Sequence, residues 1–127
     1  MIILGHKLIP YSLIYEVSSL EELQNSDFTK DFLFEFNEEL LEFSLKNKLS
    51  FSLYIKSVKE AIIGNNLNAK FLIVQDLIAT KIQKIAEYYL FDSKIALLAK
   101  DDSAIENAAQ EGIDALILPP AIIKKGG

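Results

Sequence analysis

The sequence predicts an α/β domain of three layers, with a mainly parallel sheet built from short strand-helix units. Strand-like apolar segments begin at residues 32, 51, 71, 95 and 115. A spacing of about 20 residues leaves room for one strand, two short loops and a helix of two or three turns. The intervening segments are apolar on one helical face: Val58, Ala61 and Ile62; Ile78, Ile82, Ile85, Ala86 and Tyr89; Ile105, Ala108 and Ala109. Each can lay an apolar stripe on the sheet. With 127 residues, half of them hydrophobic, the chain supports one substantial core, so residues 1–127 read as a single domain.

The elements follow in order. Residues 1–30 read as a strand and helix extension, 31–121 as the repeat and 122–127 as a tail. Leu8 to Val17 reads as a longer strand containing Pro10, which confines it to a sheet edge or to an arm that pairs with a second subunit. A short helix follows, signalled by Ser18 with Glu21 and Ser19 with Glu22. The repeat strands are Phe32–Phe36, Phe51–Ile55, Phe71–Gln75, Ile95–Ala99 and Ala115–Leu118. The last three are apolar on both faces, the pattern of central parallel strands. Phe51, Leu53 and Ile55 alternate with Ser52 and Tyr54, which places that strand nearer an edge. Ser57 with Glu60 and Ser103 with Glu106 form capping boxes, and Gly64 and Gly112 stand where helices should stop.

Composition excludes several classes of function. The absence of cysteine removes disulfides, thiolate metal sites and cysteine nucleophiles, and fits a reducing, cytoplasmic location. Gly5, His6 and Lys7 interrupt the apolar start long before a targeting core or a membrane span of about 20 residues is reached. The net charge is -5 and every basic residue is lysine, so the planar guanidinium clamp for phosphate and guanine is missing. Neither nucleic acid nor an anionic membrane is an expected partner. His6 is the sole histidine and has no second ligand at metal-binding spacing, so no metal is expected. The glycines never cluster after a strand, which removes dinucleotide and Walker-type phosphate loops, and no cofactor is expected.

In parallel sheets and barrels, ligands bind beyond the carboxyl ends of the strands. The candidate rim is therefore Glu35, Asn37, Lys56, Ser57, Asp76, Lys100 and Asp101, with Gln75 beside it. Carboxylates and lysines on one rim supply acid, base or amine chemistry if they converge. Asn37, Ser57, Asp76 and Asp101 also fall where a helix needs a capping side chain. Lys56 and Lys100 also read as solvated loop charges. Tyr88, Tyr89 and Phe91 read as core packing under the next strand or as an exposed contact patch.

Phe71–Leu77, Lys94–Lys100, a helix ending at Gly112 and the strand Ile113–Pro120 together resemble the last three units of response-regulator receiver domains. That resemblance implies a flavodoxin-like sheet. It also implies a phosphorylated aspartate ending one strand, a hydroxyl residue ending the next and a lysine before proline ending the last. Asp76 stands one place late for the first role, Ala99 occupies the hydroxyl position and Pro119 the lysine position. The likeness therefore extends to the fold and not to phosphotransfer. Ala108–Pro119 is also similar to a late unit of aldolase-type (β/α)8 barrels, of which this chain has about half the length.

The resulting expectation is a flavodoxin-like three-layer sheet with an extra N-terminal strand, and a half-barrel as the alternative. Exposed sheet edges, or an unclosed half-barrel, favour a homodimer or a protein partner. For function, the expectation is a non-catalytic binding or interaction domain. The alternative is a small-molecule enzyme or phosphate-ligand binder using the strand-end rim.

Overall fold

The computed structural model describes residues 1–75 and 78–124. The candidate Asp76 lies outside the described residues. The elements run β1 (Ile2–Leu4), β2 (Ile14–Glu16), α1 (Leu20–Gln24), β3 (Asp31–Glu35), α2 (Glu38–Lys46), β4 (Ser50–Tyr54), α3 (Val58–Asn66) and β5 (Phe71–Val74). They continue with α4 (Ile78–Tyr88), β6 (Lys94–Leu98), a 3-10 turn (Asp102–Ala104), α5 (Ile105–Gln110), β7 (Ala115–Ile117), a second 3-10 turn (Pro119–Ala121) and β8 (Ile122–Lys124). The α/β alternation and the parallel sheet are as expected. The eight strands among the described residues form one parallel sheet in the order β1-β7-β6-β5-β4-β3-β2-β8.

That order forces the sheet to curl. β7 and β8 are consecutive in sequence yet six strand spacings apart, about 29 Å on a flat sheet at roughly 4.8 Å each. The linking residues Leu118–Ala121 reach at most about 18 Å. The two ends of the sheet therefore approach each other, and the sheet takes the half-barrel form.

Two apolar clusters follow from the curl. The larger contains Leu40, Leu41, Ala61, Ala79, Ile82, Ala86 and Ala108 from the helices, packed on Phe32, Phe34, Leu53, Leu72 and Val74 of the strands. The smaller, Ile14, Leu33, Phe71, Ile73, Ala96, Ala115, Ile117 and Ala121, draws its buried members from the strands and from the turn before β8. It occupies the concave face. Ser52, Ala96 and Ala115 keep its side chains short where the strands converge.

Local chemistry sets the element ends. The hydroxyl of Ser19 accepts from Glu22 N–H and that of Ser57 from Glu60 N–H, while the Glu60 carboxylate accepts from Lys56 N–H. Gly112, at φ 72°, ends α5 as expected. Gly64 does not stop α3 but lies within it. A Cβ there would sit 2.7 Å from Leu72 Cδ2 and 3.1 Å from Leu53 Cδ1, so glycine permits the helix to approach the sheet closely. The Ser103–Glu106 box is also absent, because Asp101 takes both the backbone N–H and the hydroxyl of Ser103.

The N-terminal expectations change most. Leu8–Val17 is not one long strand; Leu8 to Leu13, with Pro10, form a loop, and only Ile14–Glu16 pair. β2 is not an added edge strand or an arm, because it lies between β3 and β8. β4 is not near an edge either, since it pairs with β3 and β5. Its alternating Ser52 and Tyr54 face the concave side. Residues 122–124 form β8 rather than a tail.

Candidate functional site

Side chains alternate across a strand, so every second residue of each strand points into the curl. Following the buried concave cluster to the carboxyl ends brings Glu16 of β2, Glu35 of β3, Tyr54 of β4, Gln75 after β5 and Lys124 of β8 to one mouth. Lys56, two residues beyond Tyr54, joins them. These six, floored by Ile73 and Val74, line a cavity of about 400 Å³. A second compartment of about 490 Å³ shares Tyr54, Gln75 and Lys124 and extends over Leu98, Lys100, Pro119 and Ile122.

The mouth holds a polar network. The Tyr54 hydroxyl donates to Glu16 Oε1. Lys124 Nζ lies 4.0 Å from Glu16 Oε2, and the two residues are register partners on neighbouring strands. Lys56 Nζ lies 3.6 Å from Glu35 Oε1, with both side chains mostly exposed. Burial raises the Tyr54 pKa well above the ordinary phenol value, and the hydrogen bond to Glu16 and the charges of Glu16 and Glu35 push it the same way. Tyr54 is thus a neutral donor that orients Glu16, not a phenolate base.

This coupling has a testable consequence. In the unfolded chain the phenol ionises near pH about 10, whereas in the folded chain it keeps its proton to higher pH. The folded state then binds more protons than the unfolded state, so the stabilisation is complete below pH about 10 and is lost as pH rises through the folded-state value. Between pH 9 and 11, urea midpoints of the wild type are expected to fall more steeply than those of Tyr54→Phe. Parallel slopes would show that the phenol is not held neutral.

The expected rim residues divide. Glu35, Lys56 and Lys100 reach the mouth. Asn37 accepts from Leu40 N–H and caps α2, and Ser57 caps α3. Asp101 caps the turn after β6, where the hydroxyl of Ser103 and then its backbone N–H hold the carboxyl below its ordinary pKa. Asn37 does line a separate hollow of about 360 Å³ between the ends of β2 and β3 and the start of α2. Sequence reasoning missed Glu16, Tyr54 and Lys124 as site residues. The two-residue alternation along β4, and an apolar triplet followed by lysine at 124, are the signals that could have found them.

Among the described residues no group of three or more histidine, cysteine, aspartate or glutamate side chains is placed to hold a metal ion. His6 instead accepts from Leu8 N–H through Nδ1 and sits 3.5 Å from Asp102 through Nε2, joining the loop after β1 to the turn after β6. No described helix is long and apolar enough to cross a membrane. Of the aromatic group, only Phe91 packs on the core; Tyr88 and Tyr89 are exposed and meet edge to face. No protein-family model matches the chain, and no curated protein matches it in sequence.

Proposed function

We propose that this chain is a cytoplasmic small-molecule-binding domain, with the ligand seated at the carboxyl-end mouth of the half-barrel. One observation carries the reading: carboxylates, lysines, a phenol and an amide from six strands and the segments after them converge on one concavity. Each compartment lies within the roughly 300–1,000 Å³ usual for small-molecule pockets, and each combines apolar walls with a few directed polar groups. Capping alone accounts for Asn37, Ser57 and Asp101, whereas Glu16, Tyr54, Gln75 and Lys124 are not the caps of α1, α2, α3 or the turn after β6. The reading is one of binding, with no reaction assigned.

A thermal-shift screen against nucleotides, sugar phosphates, organic acids and amino acids tests it. A ligand held at 100 times its dissociation constant is expected to add about 2.7 kcal/mol of stability. Tyr54→Ala is expected to abolish the shift. Ser57→Ala is expected to cost about 1 kcal/mol through the lost cap while leaving the ligand shift intact. A panel without any hit on the wild type overturns the proposal.

A second reading is self-association. It is supported by Tyr88, Tyr89 and Leu90 at the end of α4, whose relative exposures of 79%, 66% and 84% form an apolar projection on the surface. The outer edges of β1 and β8 add two sites for strand pairing. Light scattering of the wild type and of Tyr89→Glu tests it: a dimer that the substitution dissociates is the expected result, and a monomeric wild type removes this reading.

A further inference from the structure

The geometry points to an amphipathic organic anion as the ligand, with its anionic group between Lys100 and Lys124 and a hydrogen-bond donor or ammonium group facing Glu35. This inference rests on the binding role proposed above. Its basis is which charges at the mouth are already satisfied. Lys56 has Glu35 at 3.6 Å, whereas Lys124 lies 4.0 Å from Glu16. Lys100 makes no ion pair within 4 Å among the described residues. Glu16 already accepts the Tyr54 hydroxyl. Positive capacity therefore remains on the side of the mouth formed by β6 and β8.

The wall between these two lysines is apolar, made by Leu98, Pro119 and Ile122. An inorganic ion alone leaves that wall wet, while a carbon skeleton covers it. Glu35, in the adjoining compartment, has a mostly exposed carboxylate that meets Lys56 through Oε1, while its Oε2 makes no ion pair among the described residues. The mouth is therefore polarised, positive at one end and able to accept hydrogen bonds at the other. Lysine is a point charge without the planar fork of arginine, so carboxylate and phosphate are both served. A cationic ligand without an anionic group meets Lys100 and Lys124 unfavourably.

The test titrates the full, 15N-labelled chain with hexylamine, hexanoate, hexyl phosphate and 6-aminohexanoate, following backbone amide shifts. Expected are movements of the Gln75, Lys100 and Lys124 amides with the three anionic probes and none with hexylamine. The tighter of hexanoate and hexyl phosphate identifies the preferred anion. 6-Aminohexanoate is expected to saturate at lower concentration than hexanoate, an advantage that Glu35→Gln removes. Lys100→Gln, a change to an exposed side chain, is expected to weaken every anionic probe about tenfold, in keeping with loss of a charge-assisted contact. Hexylamine binding without any anion response overturns the inference, and so does an anion response unchanged in a folded Lys100→Gln. If a screened metabolite lacking an anionic group binds the mouth while the anions do not, this inference falls and the binding role stands. If neither binds, both fall.

Discussion

Phe34→Ala is expected to destabilise the protein by about 3–5 kcal/mol, the range for removing a large aromatic side chain from a closed core. Phe34 has no solvent exposure and stacks on Phe51 across the β3–β4 pair, with ring centroids 5.7 Å apart and planes 19° from parallel. It lies in the cluster that joins the sheet to its helices. Its loss removes both the burial term and a cavity's worth of contacts, because α2 and α3 are tied by their caps and cannot collapse freely inward. Urea unfolding followed by far-UV circular dichroism measures the change. A loss under about 1 kcal/mol would show that the helices repack over the gap. The concave cluster, with the mouth above it, is separate from this one. A folded Phe34→Ala is therefore expected to keep the ligand response while losing stability.

Gly5→Val is expected to cost roughly 2–5 kcal/mol, from a strained backbone together with overpacking. Gly5 adopts φ 101°, in the region that favours glycine, and a Cβ there would sit 2.8 Å from the carbonyl oxygen of Leu118 and 2.9 Å from its Cβ. The obstruction is backbone and cannot rotate away. Beside it, Leu118 N–H donates to the Leu4 carbonyl at 2.8 Å and fastens β1 to the segment that crosses toward β8. Relief of the clash therefore requires β1 to leave β7. Amide exchange at Leu4 and Leu118 is expected to accelerate together with the loss of stability. Gly112→Ala provides the contrast: φ is positive there too, but the nearest atom to an added Cβ is Glu87 Oε1 at 4.0 Å. Its cost is expected to stay near 1 kcal/mol.

The five repeat strands were legible because each is an apolar run of strand length, and the helices because their stripes recur at helical spacing between capping signals. The three strands that complete the sheet carry weaker signals. β1 and β8 have three residues each, too few to show a period, and β2 is only the end of a mixed segment that Pro10 makes look like an edge. Tyr54 and Ser52 are legible as an alternation, but that alternation reads as the mark of a strand nearer an edge. In an open sheet a polar alternating face is the exposed one, whereas in a curled sheet the same pattern lines the interior. Half of the mouth could be read from the strand-end rule, namely Glu35, Lys56 and Lys100. Glu16 and Lys124 lie outside that rule's reach, because they belong to short strands beyond the repeat, and only the apolar triplet before Lys124 hints at one of them.

The short crossing from β7 to β8 also orders the assembly of the molecule in time. β3 to β7 pair with neighbours one strand-helix unit away, contacts that a folding chain reaches quickly. The pairs Ile14 with Ile122 and Ile2 with Ala115 instead join opposite ends of the sequence. Such non-local pairings slow folding far more than they alter equilibrium stability. The centre of the sheet is therefore the natural nucleus, and the β1–β7 and β2–β8 pairs form last. Segments that close last and carry few contacts are also the first to open under native conditions. Lys124 rides on that final strand and Lys100 on the early-formed centre, so a molecule held between them latches the last step of folding to the first.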